Sequence, residues 1–226
     1  MRKSLALFAA LAGCLVIATG AWATLPCAAN SSCAIEIDNT FSGGCADADL
    51  VWCPGGDADF IVIRATVRNC LDDPLAGCNL RLDLDGQGDP QDEMGATNIA
   101  ICGSQSQTQA SDANGAAAWV ITGGGCGRFD LDWTITAECA TPEVELCDNT
   151  DQFCVKSADF TGDLTVNFFD TFKYLPALNS GLGYCADFNC DGAINFFDTF
   201  KYLPHLNGAC SCTGWTLTAA TLGECP

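Results

Sequence analysis

Hydrophobic and polar residues alternate along two stretches in the first two thirds of the chain. Leu80, Leu82 and Leu84 alternate with charged residues, and residues 129–135 alternate in the same way. Because successive side chains of a strand point to opposite faces of its sheet, this period of two predicts half-buried antiparallel strands. The more continuous apolar run at 60–67 predicts a strand in the middle of a sheet.

Turn-forming residues separate these runs. Examples are the segments Asp-Asp-Pro-Leu-Ala-Gly at 72–77 and Gly-Gly-Gly at 123–125. Between residues 34 and 140, no stretch of helical length has apolar residues at the spacing of a helix face. About six or seven short strands with such turns are typical of a β-sandwich.

Two of these segments carry a resemblance. The turn at 73–77 follows one predicted strand, and Ser-Asp-Ala-Asn-Gly at 111–115 leads into the apolar run at 116–121. This arrangement resembles bacterial immunoglobulin-like domains of invasin-type surface proteins, over roughly residues 55–140. The resemblance implies a spacer or adhesive module rather than a catalyst, although the many cysteines depart from the usual pattern of that family.

The first 23 residues have the pattern of a secretory signal. A basic start is followed by an apolar run from Leu5 to Ala23, which ends in the cleavage site Ala-Trp-Ala. Two alternatives stay open, because the run is at the lower limit for a transmembrane anchor and residues 11–14 match a lipoprotein box ending at Cys14. We predict cleavage after Ala23 and a secreted or cell-surface protein without a membrane span.

Removal of that segment leaves 16 of the 17 cysteines. An even number in an exported chain predicts a disulfide framework. Zinc is disfavoured, because the chain contains no Cys-x-x-Cys and its one histidine is His205. The connectivity stays open, and three close pairs could bridge short loops: Cys45/Cys53, Cys70/Cys78 and Cys147/Cys154.

Acidic residues dominate the charge of the chain. It has 28 Asp and Glu against 9 Lys and Arg, a formal net charge of −19. The first 23 residues hold two of the basic residues and none of the acidic ones, so the mature chain carries −21. Such a surface repels phosphate backbones and anionic headgroups, and we therefore expect neither a nucleic-acid partner nor binding to bare membrane.

A repeated pattern near the C-terminus is the most specific signal. Asp-Phe-Thr-Gly-Asp-Leu-Thr-Val-Asn-Phe-Phe-Asp-Thr at 159–171 returns 28 residues later as Asp-Phe-Asn-Cys-Asp-Gly-Ala-Ile-Asn-Phe-Phe-Asp-Thr at 187–199. Oxygen-bearing side chains recur at positions 1, 3, 5, 9 and 12. That is the spacing of calcium ligands, since this hard cation takes about six to eight oxygens. After each loop we predict about two turns of helix, ending at Pro176 or Pro204.

These spacings predict two calcium sites, which we call loop one (159–170) and loop two (187–198). The predicted ligands of loop one are Asp159, Thr161, Asp163, the Thr165 carbonyl, Asn167 and Asp170. The predicted ligands of loop two are Asp187, Asn189, Asp191, the Ala193 carbonyl, Asn195 and Asp198. Loop two has Gly192 at the sharply turning position 6, where loop one has Leu164, so we predict that loop two binds calcium more tightly.

The paired loops resemble the dockerin domain, because each leads directly into a helix and is closed by aspartate. The match covers about residues 155–212. It implies calcium-dependent docking of a secreted protein onto a cohesin module, commonly in assemblies that bind or degrade polysaccharide. In that family, positions 10 and 11 contribute to partner choice. Here they are Phe168, Phe169, Phe196 and Phe197, and whether these rings lie in a core or an interface stays open.

We therefore predict a mainly β, immunoglobulin-like N-terminal sandwich followed by a small all-α dockerin-like module with two calcium-loop–helix repeats. The predicted division is a signal peptide at 1–23, a cysteine-rich sandwich at 24–140, an acidic linker at 141–153, and a dockerin-like domain with a C-terminal tail at 154–226. Both parts are small enough for disulfides to add useful stability.

No catalytic constellation is evident. A single histidine excludes most triad and zinc-hydrolase chemistry, and no Gly-x-Ser-x-Gly is present. We expect a non-catalytic carrier that is tethered to a cohesin-type partner. Two alternatives stay open: a polysaccharide-active enzyme component or carbohydrate-binding module, with Trp52, Trp119 and Trp133 as sugar-stacking candidates, and a structural surface protein stiffened by calcium.

Overall fold

A computed structural model describes residues 24–43, 45, 49–54, 57–90, 98–207, 211–222 and 225. The predicted signal peptide at 1–23, with Cys14, lies outside these ranges. Within them, neither α-helix has the length and apolar character needed to cross a bilayer.

The described residues are mainly β, as predicted. The helices are α1 (Phe168–Ser180) and α2 (Phe196–Asn207), and short 3-10 helices cover Ala28–Asn30 and Tyr184–Ala186. The strands are β1 (Ser32–Asp38), β2 (Asp49–Trp52), β3 (Phe60–Thr66), β4 (Asn79–Pro90), β5 (Ile99–Cys102), β6 (Ser106–Ala110), β7 (Ala116–Ile121), β8 (Gly123–Gly125), β9 (Gly127–Ala137), β10 (Val144–Ser157), β11 (Gly214–Thr216) and β12 (Thr218–Ala219).

Two sheets face each other across one core, which is the arrangement of a β-sandwich. One sheet has the strand order β1-β3-β7, and the other has the order β12-β4-β9-β10-β2, with β6 also paired to β4. A small third sheet has the order β11-β5-β8. The alternating pattern of β4 is confirmed, because Leu80, Leu82 and Leu84 are buried in the shared core.

The predicted linker at 141–153 is wrong for most of its length. Val144–Ser157 is a strand of 14 residues, antiparallel to β9 and, over its last four residues, parallel to β2. Phe153 and Val155 point into the core, while the acidic residues lie outside it. The register shifts between Glu145 and Cys147. This bulge breaks the period of two, which explains why the alternation was not recognised.

The disulfides join segments that are far apart in sequence, and none of the three close pairs that spacing allowed is formed among the described residues. Within the described residues the bridges are Cys27–Cys70, Cys33–Cys147, Cys45–Cys190, Cys78–Cys139, Cys102–Cys212, Cys126–Cys185 and Cys154–Cys225. Two of them lie at paired strands, because Cys78 and Cys139 flank β4 and β9, and Cys102 and Cys212 lie at β5 and β11. Cys33–Cys147 instead joins β1 and β10, which belong to different sheets. This many disulfides is typical of an extracellular or secreted protein.

The C-terminal region does not form a separate all-α unit over 154–226. After α2, strand β11 pairs with β5 and strand β12 pairs with β4. Leu217 between them is buried in the sandwich core. Four disulfides of the described residues also connect the sandwich to residues beyond 180: Cys45–Cys190, Cys102–Cys212, Cys126–Cys185 and Cys154–Cys225.

Both helices continue past the prolines that were expected to end them. Pro176 lies inside α1 and Pro204 lies inside α2. A proline in a helix interior removes one backbone hydrogen bond, but its fixed φ is still helical. Helix α1 ends instead at Gly181, whose φ of 66° is left-handed and whose N–H donates to the Ala177 carbonyl.

The sandwich core gives a direct test of the fold. Phe129 is 0% exposed and packs 5.2 Å, centroid to centroid, from both Trp52 and Phe153. We expect Phe129→Ala to lower the free energy of unfolding by about 3–5 kcal/mol, because it leaves a cavity. The same change at the exposed Phe169 should alter it by less than about 0.5 kcal/mol. Urea unfolding monitored by tryptophan fluorescence would contradict the described core if both variants lost equal stability.

Candidate functional site

The two loop–helix units pack on each other with approximate two-fold symmetry. The Tyr174 hydroxyl lies 2.7 Å from Oγ1 of Thr199, and its counterpart Tyr202 lies 2.9 Å from Oγ1 of Thr171. The rings of Tyr174 and Tyr202 stack at 4.5 Å. Phe160 and Phe188, at position 2 of each loop, complete this buried aromatic cluster. The sequence repeat is therefore also a repeat in space.

The first carboxylate of loop one is buried and surrounded by backbone amides. Oδ1 of Asp159 accepts hydrogen bonds from the N–H groups of Gly162 (2.9 Å) and Asp163 (3.2 Å), and Oδ2 accepts one from Leu164 (2.8 Å). Asp187 repeats this in loop two, where Asp191 and Gly192 each donate over 3.1 Å. Both loops thus curl around the side chain at position 1.

The last carboxylate of each loop is buried as well and faces the first. Asp170 accepts from the N–H of Thr161 (3.0 Å) and of Asn167 (2.7 Å). The Thr161 hydroxyl lies 3.0 Å from Oδ1 of Asp159 and 3.2 Å from Oδ1 of Asp170. In loop two, Asp198 accepts from Phe188 at 2.8 Å and from Asn195 at 2.8 Å. Positions 1, 3 and 12 of loop one therefore converge.

The buried carboxylates of loop one have raised pKa values. Burial, followed by the negative charge of Asp170, raises the pKa of Asp159 to about 6. Burial raises the pKa of Asp170 and also that of Asp198. Within the described ranges, no lysine or arginine forms an ion pair with Asp159 or Asp170. These two groups are thus buried negative charges without a counter-ion among the described residues.

The remaining predicted ligands make local hydrogen bonds. Asp163 and Asp191, at position 5, accept from the N–H of position 7 at 2.9 Å. Asn167 and Asn195, at position 9, accept from the N–H of Phe169 and Phe197 at 2.8 Å, and so cap the helices. Their amides donate to the predicted carbonyl ligands of Thr165 (3.3 Å) and Ala193 (3.2 Å), and Asn189 bonds Asp191.

As arranged, no three acidic, cysteine or histidine side chains of the described residues meet closely enough to hold a metal ion. The position-5 carboxylates are turned toward backbone N–H groups instead. The donor chemistry nevertheless fits a hard cation: every predicted ligand is an oxygen, and loop one holds two facing buried carboxylates. A lone buried carboxylate, Asp59 in the sandwich, is satisfied by the N–H groups of Ser42 and Val51 and has no such facing partner described.

The backbone shows equal strain in the two loops. Positions 4 and 6 are left-handed in both: Gly162 (φ 64°) and Leu164 (φ 64°) in loop one, Cys190 (φ 56°) and Gly192 (φ 81°) in loop two. Each loop therefore has one glycine and one side-chain-bearing residue at these positions. A side chain at a left-handed position costs on the order of 1 kcal/mol, and this cost applies to Cys190 as well as to Leu164. Glycine content consequently gives no reason for one loop to bind more tightly.

The sandwich supports loop one closely. The Gly125 N–H donates to the Asp159 carbonyl over 2.8 Å. A Cβ added to Gly124 would lie 2.0 Å from Oδ2 of Asp159, so only glycine allows this approach. Residues 123–125, which were expected to form only a turn, are strand β8 and form one wall of loop one.

The phenylalanines at positions 10 and 11 are exposed, which settles that they lie outside the core. Phe168 and Phe169 are 65% and 68% exposed, and Phe196 and Phe197 are 65% and 66% exposed. Phe168 packs edge-on against Phe172 with ring centroids 4.2 Å apart, and Phe196 packs in the same way against Phe200 at 4.4 Å. We call the exposed Phe168, Phe169 and Phe172 with Leu175 the α1 apolar face, and the exposed Phe196, Phe197 and Phe200 with Leu203 the α2 apolar face.

The neighbourhoods of the two faces differ because the sandwich covers one helix. Lys201 of α2 donates to the Phe41 carbonyl and lies over the Phe41 ring, and His205 packs edge-on against that ring at 5.3 Å. His205 is therefore buried within α2. The corresponding side of α1 is an open groove of about 650 Å³ beside Phe172 and Pro176.

Three tryptophans proposed for sugar stacking are inaccessible. Trp52, Trp119 and Trp133 are all buried in the sandwich core. A ring stacks on a sugar only with an accessible face, so these residues provide no carbohydrate platform.

Sequence reasoning missed one charged residue at the site. Lys156 on β10 is buried, and its Nζ lies 3.6 Å from Oδ2 of Asp187 in loop two. The signal was a single lysine directly after the apolar residues Phe-Cys-Val at 153–155, where the predicted linker meets the predicted dockerin-like domain.

Comparisons with known proteins give little further information. No family model matches the chain, and no curated protein matches it. Among solved structures, the chain is similar to the ASH / PapD-like domain of human CEP192 (PapD-like domain 7), with 16% identity, covering 54% of this chain and 82% of that chain, at a TM-score of 0.25. A likeness at this TM-score supports no inference about function.

The raised pKa of Asp159 predicts a pH dependence of stability in calcium-free buffer. Its folded-state pKa of about 6 lies above the ordinary aspartate value of 3.8, so the folded protein holds this proton to higher pH than the unfolded chain. The contribution is fully present below pH 3.8 and is lost as the pH rises through 6. From pH 4 to pH 7 we expect a fall in the free energy of unfolding on the order of 2 kcal/mol from this group.

Urea unfolding at a series of pH values measures this slope. Asp159→Asn should flatten it, and Asp85→Asn, at an exposed position of β4, should leave it unchanged. Identical slopes in the wild type and Asp159→Asn would contradict the assignment.

Proposed function

We propose that this is an exported, calcium-binding, non-catalytic protein. In this proposal a dockerin-like region, comprising loops one and two with α1 and α2, binds two calcium ions and attaches an immunoglobulin-like sandwich to a cohesin-type protein partner. The partner would belong to an assembly that binds or degrades polysaccharide, as the family resemblance implies.

The pair of facing, buried carboxylates in loop one is the observation that carries the calcium proposal. Burying an ionised carboxylate without a counter-charge costs several kcal/mol, so such groups are normally paired or bound to a metal. Asp159 and Asp170 have no such pair among the described residues. A calcium ion bound by these side chains, with Thr161 and Asp163 beside them, would supply the missing charge and hold the loop.

The apolar faces of α1 and α2 support the docking part of the proposal. Contiguous exposed hydrophobic side chains on a soluble protein commonly mark an interaction site, and aromatic residues are enriched in the centres of such interfaces. Each face starts at the first turn of its helix, directly after a calcium loop. Calcium binding would therefore fix the direction in which the phenylalanines point.

The α1 apolar face is the better candidate for contact with the partner. The α2 helix is covered on its Lys201 side by Phe41 of the sandwich. Helix α1 has an open groove at the corresponding place, between Phe172, Pro176 and Leu182. A partner could approach α1 from the groove as well as from the phenylalanines, whereas at α2 the sandwich restricts the approach.

A second candidate is a structural surface protein that calcium stiffens, without a docking partner. It is favoured by the cross-linking of loop two, and of the 3-10 helix before it, to the sandwich through Cys45–Cys190 and Cys126–Cys185. These bridges hold loop two to the sandwich. The same calcium sites serve both candidates, and the docking experiment separates them.

Calorimetric titration of the disulfide-bonded chain without residues 1–23 tests the calcium proposal. We expect two calcium ions per chain in the wild type and one in Asp159→Ala or Asp187→Ala, because each change removes the position-1 ligand of one loop. Asp85→Ala removes a carboxylate from the exposed face of β4 and should leave two. An absence of calcium binding, or equal stoichiometry in all four proteins, would contradict the proposal.

Binding to a panel of purified cohesin modules tests docking, with equivalent double substitutions made in each of the two repeats. We expect the wild type to bind in the presence of calcium and not to bind after a chelator is added. The pair Phe168→Ser and Phe169→Ser should weaken binding about tenfold or more, because buried aromatic residues dominate interface energy. The corresponding pair Phe196→Ser and Phe197→Ser should weaken it less.

Two controls accompany this experiment. Leu71→Ser changes an exposed apolar residue of the sandwich and should bind normally. Calcium stoichiometry should stay at the wild-type value in both double variants. If no cohesin module binds the wild type in calcium, the docking proposal fails and the structural candidate is favoured.

A further inference from the structure

Lys156 is a buried lysine whose ammonium group lies against loop two. It belongs to β10, three residues before Asp159, and only 4% of its side chain is exposed. Its Nζ lies 3.6 Å from Oδ2 of Asp187, 3.1 Å from Sγ of Cys190 and 4.6 Å from the centre of the Tyr184 ring. The strand that leads into loop one thus directs its charge into loop two.

A second carboxylate completes a small charge network. Asp49 of β2 is buried, and it accepts a hydrogen bond from the Tyr184 hydroxyl over 3.3 Å. Burial raises the pKa of Asp49, and the positive charge of Lys156 opposes that rise. Lys156 therefore compensates negative charge on both sides, from the sandwich and from the first ligand position of loop two.

The two loops are otherwise closely matched. Each has three carboxylates: Asp159, Asp163 and Asp170 in loop one, Asp187, Asp191 and Asp198 in loop two. Each has one glycine at its two left-handed positions. The charge of Lys156 is the clearest difference between them, because the described residues provide loop one with no such cation.

Because of this difference, a calcium ion would meet a different net charge in each loop. In loop one, the ion neutralises carboxylates that have no counter-ion described. In loop two, the ion enters beside an ammonium group that already neutralises Asp187. Two like charges repel strongly in a site with little solvent, so the ammonium opposes the entering ion.

We propose that Lys156 is a built-in counter-ion for loop two, and that calcium consequently fills loop one first. The inference rests on the calcium binding proposed above. It reverses the order that Gly192 suggested from sequence. It also implies that Lys156 neutralises Asp187 of loop two even without calcium. Loop two therefore stays joined to β10 of the sandwich when loop one releases its ion.

Calorimetric calcium titration of the disulfide-bonded chain without residues 1–23 tests this order. The Asp187→Ala protein reports loop one, and the Asp159→Ala protein reports loop two. We expect tighter binding in the Asp187→Ala protein. The opposite order overturns the inference without any change at Lys156, so this comparison remains decisive even if a Lys156 variant does not fold.

Substitution of Lys156 tests the cause. In the Asp159→Ala background, Lys156→Met keeps the length of the side chain and removes its charge, and should tighten calcium binding at loop two by about tenfold, a size typical of coupling between binding events. Lys156→Arg retains the charge and should leave the affinity of loop two near its starting value. In the Asp187→Ala background, Lys156→Met should leave loop one unchanged.

The outcomes separate this inference from the proposed function. If both loops bind calcium but Lys156→Met weakens loop two or leaves it unchanged, the counter-ion role is refuted and the calcium proposal stands. If neither loop binds calcium in the wild type, the calcium proposal fails and the inference fails with it. Circular dichroism of each variant verifies that the compared proteins share one fold.

Discussion

Negative charge buried between the two ends of each loop is the constraint on which the C-terminal third of this molecule depends. Asp159 and Asp170 approach each other around the Thr161 hydroxyl, and the backbone amides that surround them do not remove their net charge. In loop two, the ammonium group of Lys156 neutralises part of the corresponding negative charge. The proposed order of calcium binding follows from this difference, because only loop two has a lysine beside its first carboxylate among the described residues.

The sandwich and the two loop–helix units pack together as one unit. The contacts between them involve the buried Lys156, Gly124 of β8 and the ring of Phe41. Strand β10 lies between β9 and β2 in the larger sheet, leads into loop one and places Lys156 beside loop two. Strand β8 approaches Asp159 so closely that Gly124 has no room for a side chain. Phe41 covers α2 and leaves α1 open. A module with approximate two-fold symmetry thus presents two different sides.

Local patterns predicted much of the architecture, and long-range contacts account for what they missed. The alternation of Leu80, Leu82 and Leu84 was sufficient for a sandwich strand, and the repeat located both loops and the starts of both helices. The bulge at Glu145 interrupts the alternation of β10, an interior strand of the larger sheet, most of which was predicted as a linker. Three features could not be predicted from spacing along the chain: the disulfide pairing, the approach of Gly124 to Asp159 and the contact of Lys156 with Asp187. Each depends on residues that are distant in sequence and that only the fold brings together. The predicted difference in calcium affinity considered glycine at position 6 only, whereas the backbone at position 4 is left-handed as well.

The position of the metal ion itself is the most direct test of this account. Crystals grown in calcium and measured for anomalous scattering should show a peak between the carboxylates of Asp159 and Asp170, with a second peak beside Asp187 and Asp198 that is weaker at limiting calcium. Absence of anomalous density at both loops, with the carboxylates still bonded only to backbone amides, would contradict it.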